Sequence, residues 1–288
     1  MTGHTLPAPL VAALYRDACR FDVLAAKPGN VSIGSAGHGM QAVDFLTSAR
    51  VTADPLARAA RGVGAAVREA IDATWGAVGC NTNLGIVLLA APLAQAVRRP
   101  LEGSLRTRLA RVLAGLDLAD AEDAFAAIRR AHPAGLGTAA AEDVAASPTH
   151  DLRHAMQLAA ERDRIAWNYV HDYADVFDVG IPALRAGLHA DDSLSAAVVR
   201  AFLRFLASMP DTHVERKLGE EAARRLMGRA AELESAYKAC EDPEERAALV
   251  QTFDCELKRG GVNPGTSADL TVTSLFAMNL AAALQNAR

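Results

Sequence analysis

Alanine constrains this chain more than any other feature. It fills 62 of 288 positions, while aromatic residues reach only 5%. Alanine is the best helix former and a poor strand residue, so this supply argues against a β-sandwich or barrel and for packed helices. The apolar residues agree, because they recur three and four apart. Leu10, Ala13, Leu14, Ala18, Phe21 and Ala25 make one stripe, ending before Lys27-Pro28-Gly29. Leu56, Ala60, Val63, Val67 and Ile71 make a second, with Asp54-Pro55 as its start signal. Residues 84–97 are apolar on most sides, which predicts a central buried helix. Further helices are expected over 105–113, 119–132, 151–177, 193–208, 212–239, 244–258 and 267–284. Only short pieces such as Val31-Ser32-Ile33 look strand-like. The expectation is an all-α chain. It forms a single domain over 1–288, with roughly ten helices around a central apolar helix at about residues 82–97.

Charge and cysteine usage exclude several functions. Lys and Arg number 30 against 34 acidic residues, net −4, so duplex nucleic acid is not an expected partner. Only four of the basic residues are lysines: Lys27, Lys217, Lys238 and Lys258. The four cysteines, Cys19, Cys80, Cys240 and Cys255, form no C-x-x-C pair, which excludes a zinc ribbon and a secreted disulfide scaffold. The start of the chain has no signal-peptide pattern. The apolar run 86–97 is shorter than the roughly 20 residues a membrane span needs. No membrane association is expected, and the location read from the sequence is cytoplasmic. Small alanine side chains allow helices of two chains to pack closely, so a homodimer is compatible with the sequence.

Three loop-to-helix junctions carry the candidate chemistry: Lys27-Pro28-Gly29-Asn30-Val31-Ser32, Gly79-Cys80-Asn81-Thr82-Asn83-Leu84-Gly85 and Asn263-Pro264-Gly265-Thr266-Ser267-Ala268-Asp269-Leu270. A helix N-terminus leaves about four N–H groups unpaired and carries a partial positive charge. Glycine admits a ligand close to the backbone, so such ends suit phosphate. Ordinary capping accounts for the same residues. Thr266 to Asp269 fits a capping box, and Asn81 or Thr82 would cap the central helix. None of the three is a Walker loop or a dinucleotide fingerprint.

Carboxylates supply the second set of candidates. Asp163 falls in the stripe Met156, Ala160, Asp163, Trp167, Val170 of the expected long helix. A buried carboxylate must pair, bind metal or titrate high. An ion pair with Arg162 or Arg164 is the structural alternative. Asp211-Thr212-His213-Val214-Glu215-Arg216-Lys217 is the densest polar cluster. It reads either as a Thr212/Glu215 capping box or as Asp211 acting as Mg²⁺ ligand or general base beside a phosphate-facing Lys217. His150 and His154 share a helix face but lack a third ligand for zinc.

These blocks, in this order, resemble the signature of the triphosphoribosyl-dephospho-CoA synthase family. Lys27 to Ser32, Asn81 to Gly85, Asp211-Thr212 with Arg216 to Gly219, and Asn263 to Leu270 carry the resemblance. Gly135-Leu136-Gly137 and Glu161 to Ala166 are smaller echoes. The resemblance implies an all-helical fold and an ATP-dependent transferase. In that reaction the ribose 2′-OH of 3′-dephospho-CoA attacks C1 of the ATP ribose, adenine leaves, and triphosphoribose is transferred. It further implies ATP/phosphate binding by Lys27, Gly29, Asn30, Asn81, Thr82, Asn83, Lys217, Gly265, Thr266 and Ser267. Asp163 and Asp211 are the implied catalytic carboxylates, and Asp211 and Asp269 the Mg²⁺ ligands. Citrate-lyase-associated members carry His-Lys where this chain has Asn83-Leu84, so the pattern is more similar to an archaeal and one-carbon-metabolism branch. Two alternatives stand beside this reading: a same-fold enzyme using a pterin- or furan-type acceptor, and a helical nucleotide-binding regulator without turnover.

Overall fold

The computed structural model describes residues 4–58, 62–133, 135, 137–138, 141–190 and 193–287. Leu136, part of one of the smaller sequence echoes, lies outside the described residues. Among those described, the chain forms fourteen α-helices and no strand. Near Val31 to Ile33 there are only isolated bridges, Ser32 with Ser35 and Gly37 with Met40.

The order is α1 (Ala8–Leu24), α2 (Ala42–Ala57), α3 (Val63–Val78), α4 (Leu84–Arg98), α5 (Leu105–Ala114), α6 (Leu118–Ala131) and α7 (Leu152–Ala159). Then come α8 (Arg164–Val170), a π-helical stretch (Asp175–Gly180), α9 (Ile181–His189), α10 (Leu194–Ser208), α11 (Thr212–Leu218), α12 (Glu220–Ala239), α13 (Pro243–Arg259) and α14 (Gly265–Asn286). The expected central helix is α4, in which Leu84 through Val97 are all buried. It packs against α2, α3, α5 and α14, so one apolar core runs through the chain. The core is built mainly from aliphatic and alanine side chains, which let the helices approach closely.

There are more helices than expected because three long patterns break and because α9 lies in a stretch where no helix was expected. The Leu56 to Ile71 stripe spans two helices, with Pro55 in the last turn of α2 rather than opening a helix. The expected 212–239 helix breaks at Gly219, whose φ of +90° no helix accommodates. The expected 151–177 helix breaks twice, first between Ala159 and Arg164 and again at Asp172 and Tyr173, both at positive φ. Asp163 is therefore not on a helical stripe but is the N-cap of α8. Pro182 opens α9 instead of closing the helix before it.

Pro92 fixes how these pieces meet. It has no N–H, so the Leu88 carbonyl one turn earlier loses its helical partner. Tyr169 Oη donates to that carbonyl at 2.6 Å, and Tyr173 Oη donates to Leu89 O at 3.1 Å. Both phenols are fully buried, which fastens α8 and the turn after it across α4. The start of α8, with Asp163, is thereby held near the start of α4. Helix α14 is long and apolar enough to cross a membrane by length and composition, but 67% of its apolar window is buried in the fold. Its buried Thr271, Thr273 and Ser274 hydroxyls donate to carbonyls four residues back, so none needs water.

Candidate active site

The three junctions come together. A cavity of about 350 Å³ is bounded by Asn30 and Val31 from the first, Asn81 to Gly85 from the second, and Asn263, Gly265, Ala268 and Asp269 from the third. Asp22, Asp163, Arg162, His213 and Arg216 complete its polar end. Phe125, Ile128, Leu152, Met156 and Leu88 make an apolar end.

Hydrogen bonds lock the junctions to one another. Asn30 Nδ2 donates to Asn263 Oδ1 at 2.6 Å, and the Gly29 N–H donates to Asp254 Oδ1 at 2.8 Å. Gly29 has φ +81°, and a Cβ there would lie 2.7 Å from Pro264 Cδ, so only glycine allows this approach. Thr82 Oγ1 and Ser48 Oγ share a hydrogen at 2.6 Å, and Thr74 Oγ1 donates to Asn83 Oδ1 at 3.1 Å. The N-cap residue of α4 is Asn83, not Asn81 or Thr82, but Asn81 Oδ1 accepts from the first helical N–H, that of Leu84, at 3.1 Å. Asn30 Oδ1 and Asn83 Nδ2 are buried without a partner in the fold, and both residues border the cavity. Unpaired buried amide atoms of this kind suit a polar ligand.

Several expected phosphate contacts are used otherwise. Lys27 is wholly buried, and its Nζ sits 2.8 Å from Asp22 Oδ1 and also donates to the Asp22 carbonyl. It reaches no phosphate, because it supplies the counter-charge of a carboxylate that borders the cavity. Replacing Lys27 with Met strands Asp22, so the expected result is a stability loss of about 3–5 kcal/mol. A urea melt of Lys27→Met that matches wild type would contradict this. Lys217 is exposed and outside the cavity, and its neighbour Arg216 is the cation that enters it. Gly29 packs the loop, and Thr266 Oγ1 accepts from the His213 N–H at 3.1 Å, so neither presents itself to a phosphate.

Asp211 departs furthest from expectation. Its Oδ1 accepts from the N–H groups of His213 (3.0 Å) and Val214 (3.1 Å), making Asp211, not Thr212, the N-cap of α11. Its Oδ2 accepts from the Ser267 N–H and Oγ, each at 2.8 Å. Asp211 is 1% exposed. It is thus the anion that occupies the N-terminus of α14, where Ser267 was expected to meet phosphate. With four donors on two oxygens it offers nothing to a metal or a substrate proton.

Asp163 has also found its partners. Oδ1 accepts from the Ile165 (2.8 Å) and Ala166 (3.1 Å) N–H groups, and Oδ2 pairs with Arg216 Nη1 at 2.6 Å. Its ion pair is with Arg216, not Arg162 or Arg164, and Arg164 instead forks onto Asp175.

Asp269 remains. It lies in the first turn of α14, bordering the cavity, and its carboxyl takes no hydrogen bond from the described residues. A Cβ on Gly85 would sit 2.0 Å from its Oδ2, so Gly85 opens the space that carboxyl occupies. Burial pushes the Asp269 carboxyl well above the usual carboxylate range. The negative charges of Asp22, Asp211 and Asp163 add to that, and Arg216 opposes it. His213 is lowered by burial, against the pull of Asp211, with Arg216, Lys217 and His38 lowering it further.

The sequence reading passed over Asp22, and it named Arg162, His213, Arg216 and Asn263 within motifs without giving them a place in the site. Asp22 did carry a signal, since Val11, Tyr15, Ala18 and Asp22 follow the helical period and all four are buried. Among the described residues no group of three or more His, Cys, Asp or Glu side chains is placed to hold a metal. His150 and His154 stack on each other and do not line the cavity, although His150 Nδ1 lies 2.8 Å from Glu142 Oε1, a residue that does.

Comparison with known proteins places the chain in a family. The family model for ATP:dephospho-CoA triphosphoribosyl transferase (CitG) matches residues 8–288. A crystal structure described as a triphosphoribosyl-dephospho-CoA synthase from Archaeoglobus fulgidus is similar, with a TM-score of 0.65 and 25% identity. The match covers 82% of this chain and 96% of that one. A comparison with curated protein sequences found no match.

Proposed function

The chain belongs to the ATP:dephospho-CoA triphosphoribosyl transferase family, and from that premise we propose how its cavity works. The reaction moves the 5-triphosphoribosyl unit of ATP onto 3′-dephospho-CoA and releases adenine. The C1–N9 bond breaks and an O–C1 bond forms. The state between resembles an oxocarbenium ion, as in glycoside hydrolysis, so it calls for an anion near C1 and a proton for the leaving base.

Two carboxyls in unlike environments meet that need, and this contrast is the observation that carries the reading. Asp22 borders the cavity with the Lys27 ammonium 2.8 Å from its Oδ1 as counter-charge. Among the described residues Asp269 forms no ion pair, and burial, outweighing the pull of Arg216, favours its protonated form. In the proposed step the acceptor 2′-OH attacks C1 and passes its proton to Asp22, while Asp269 gives its proton to the departing adenine. Solvent exchange after product release restores both. Environments that push two carboxyls apart assign acid and base in this way. Asn30 Oδ1 is placed to accept from a hydroxyl, and Asn83 Nδ2 to donate to a hydroxyl or phosphate oxygen.

The residues present do not fit a resident Mg²⁺ centre, since Asp211 is saturated and, among the described residues, no group of three His, Cys, Asp or Glu is placed for one. Mg²⁺ enters in this proposal as MgATP, carried on the phosphates. The test is incubation with MgATP and 3′-dephospho-CoA, followed by chromatography and mass analysis. Free adenine in step with a triphosphoribosyl adduct is expected. ADP or AMP instead of adenine, or ATP left intact, would overturn the proposal.

A further inference from the structure

The polar end of the cavity is acidic, with Asp22, Asp163 and Asp269 on its walls, so a polyphosphate needs a local cation there. Lys27 is committed to Asp22, and Lys217 is outside. Arg216 is the cation whose position the fold fixes. It stands in the last turn of α11, its side chain is 18% exposed, and Nη1 is held at 2.6 Å by Asp163 Oδ2. Asp163 itself cannot swing away without uncapping α8, because Oδ1 holds the Ile165 and Ala166 N–H groups. Arg216 Nε is buried and has no hydrogen-bond partner in the fold. A guanidinium carries five donors in a rigid fork that matches phosphate oxygens, and Asp163 engages only one edge of it.

We propose that Arg216 holds the polyphosphate chain of the nucleotide and that Asp163 is the residue that positions it. This rests on reading the cavity as the ATP site. It reassigns Asp163 from the chemistry at C1 to the orientation of a cation. Arg162 borders the same cavity but is exposed, so it is not fixed in the same way.

The experiment is calorimetric titration of the full chain with inorganic tripolyphosphate and, separately, adenosine. Arg216→Ala is expected to weaken tripolyphosphate binding about 10- to 100-fold, the range for hydrogen bonds to charged groups, and to leave adenosine nearly unchanged. Arg216→Lys keeps the charge without the fork and falls between. Asp163→Asn preserves a capping oxygen for α8, because Asn caps about as well as Asp. Its loss is therefore expected in KM for ATP rather than in thermal stability or kcat. A folded Arg216→Ala or Arg216→Lys with wild-type tripolyphosphate affinity overturns the assignment of Arg216. An unchanged KM in Asp163→Asn overturns that of Asp163. A wild-type chain that binds tripolyphosphate through Arg216 but releases no adenine with dephospho-CoA keeps this proposal and refutes the proposed reaction.

Discussion

Asp269→Asn is expected to release adenine about 10²- to 10⁴-fold more slowly than wild type, the usual worth of a positioned general acid. Asparagine matches the shape of a protonated carboxyl but has no acidic proton for the leaving base. The same substitution is expected to raise stability at neutral pH. The folded state holds the Asp269 proton more tightly than the unfolded chain does. Its contribution to stability is therefore full at low pH and is lost as pH rises through the raised folded value. Asparagine does not ionise, so the advantage of the variant over wild type grows with pH. Thermal melts across a pH series, beside adenine release, check both halves. A melt that falls with activity would mean that Asp269 is a structural group. The rate profile carries a further sign: wild-type activity should decline on its alkaline side as Asp269 loses its proton.

Asp211→Asn is expected to behave in the opposite way. Asparagine keeps one oxygen for the His213 and Val214 N–H groups, but it turns an amide N–H₂ toward Ser267, where the backbone N–H now faces a donor and the hydroxyl must turn round to accept. Hydrogen bonds to a charged group are each worth about 1.5–3 kcal/mol, and an unsatisfied buried donor costs about 1–3 kcal/mol. A loss of about 3 kcal/mol or more in a urea melt is expected, with turnover surviving in whatever fraction stays folded. A variant that melts like wild type would remove Asp211 from its place as the tie between α11 and α14.

The fold was legible where pattern and packing coincide. The alanine supply and the 84–97 apolar run led directly to a helical chain around α4. The meeting of the three junctions was legible only through the resemblance. Nothing in Lys27 to Ser32 by itself says that it will touch Asn263, which lies more than 230 positions away. The helix breaks at Gly219 and around Asp163 were missed because apolar spacing continued across them. Positive φ at Gly219 and capping by Asp163 are backbone events that side-chain periodicity does not record.

The carboxylates teach a related lesson. Asp211 stood out in a dense polar cluster and Asp163 as a carboxylate in an apolar stripe, yet hydrogen bonds already satisfy both. Each sits one residue before a short helix and spends its oxygens on N–H groups and a neighbour. Asp22 and Asp269 lie inside longer, mostly apolar helices, where few polar neighbours compete for them. A carboxyl available for chemistry is the one that local capping has not already used. Lys27 follows the same logic, because its partner Asp22 is close in sequence and takes it out of reach of a phosphate.

The central claim is that C1–N9 cleavage is run from Asp22 and Asp269, with Asp211 confined to structure. The most direct measurement is single-turnover adenine release by wild type, Asp269→Asn and Asp211→Asn, at a temperature where circular dichroism shows all three folded. The account predicts a near-wild-type rate for Asp211→Asn and a collapsed rate for Asp269→Asn. A collapsed rate in folded Asp211→Asn with adenine still released promptly by Asp269→Asn would contradict it.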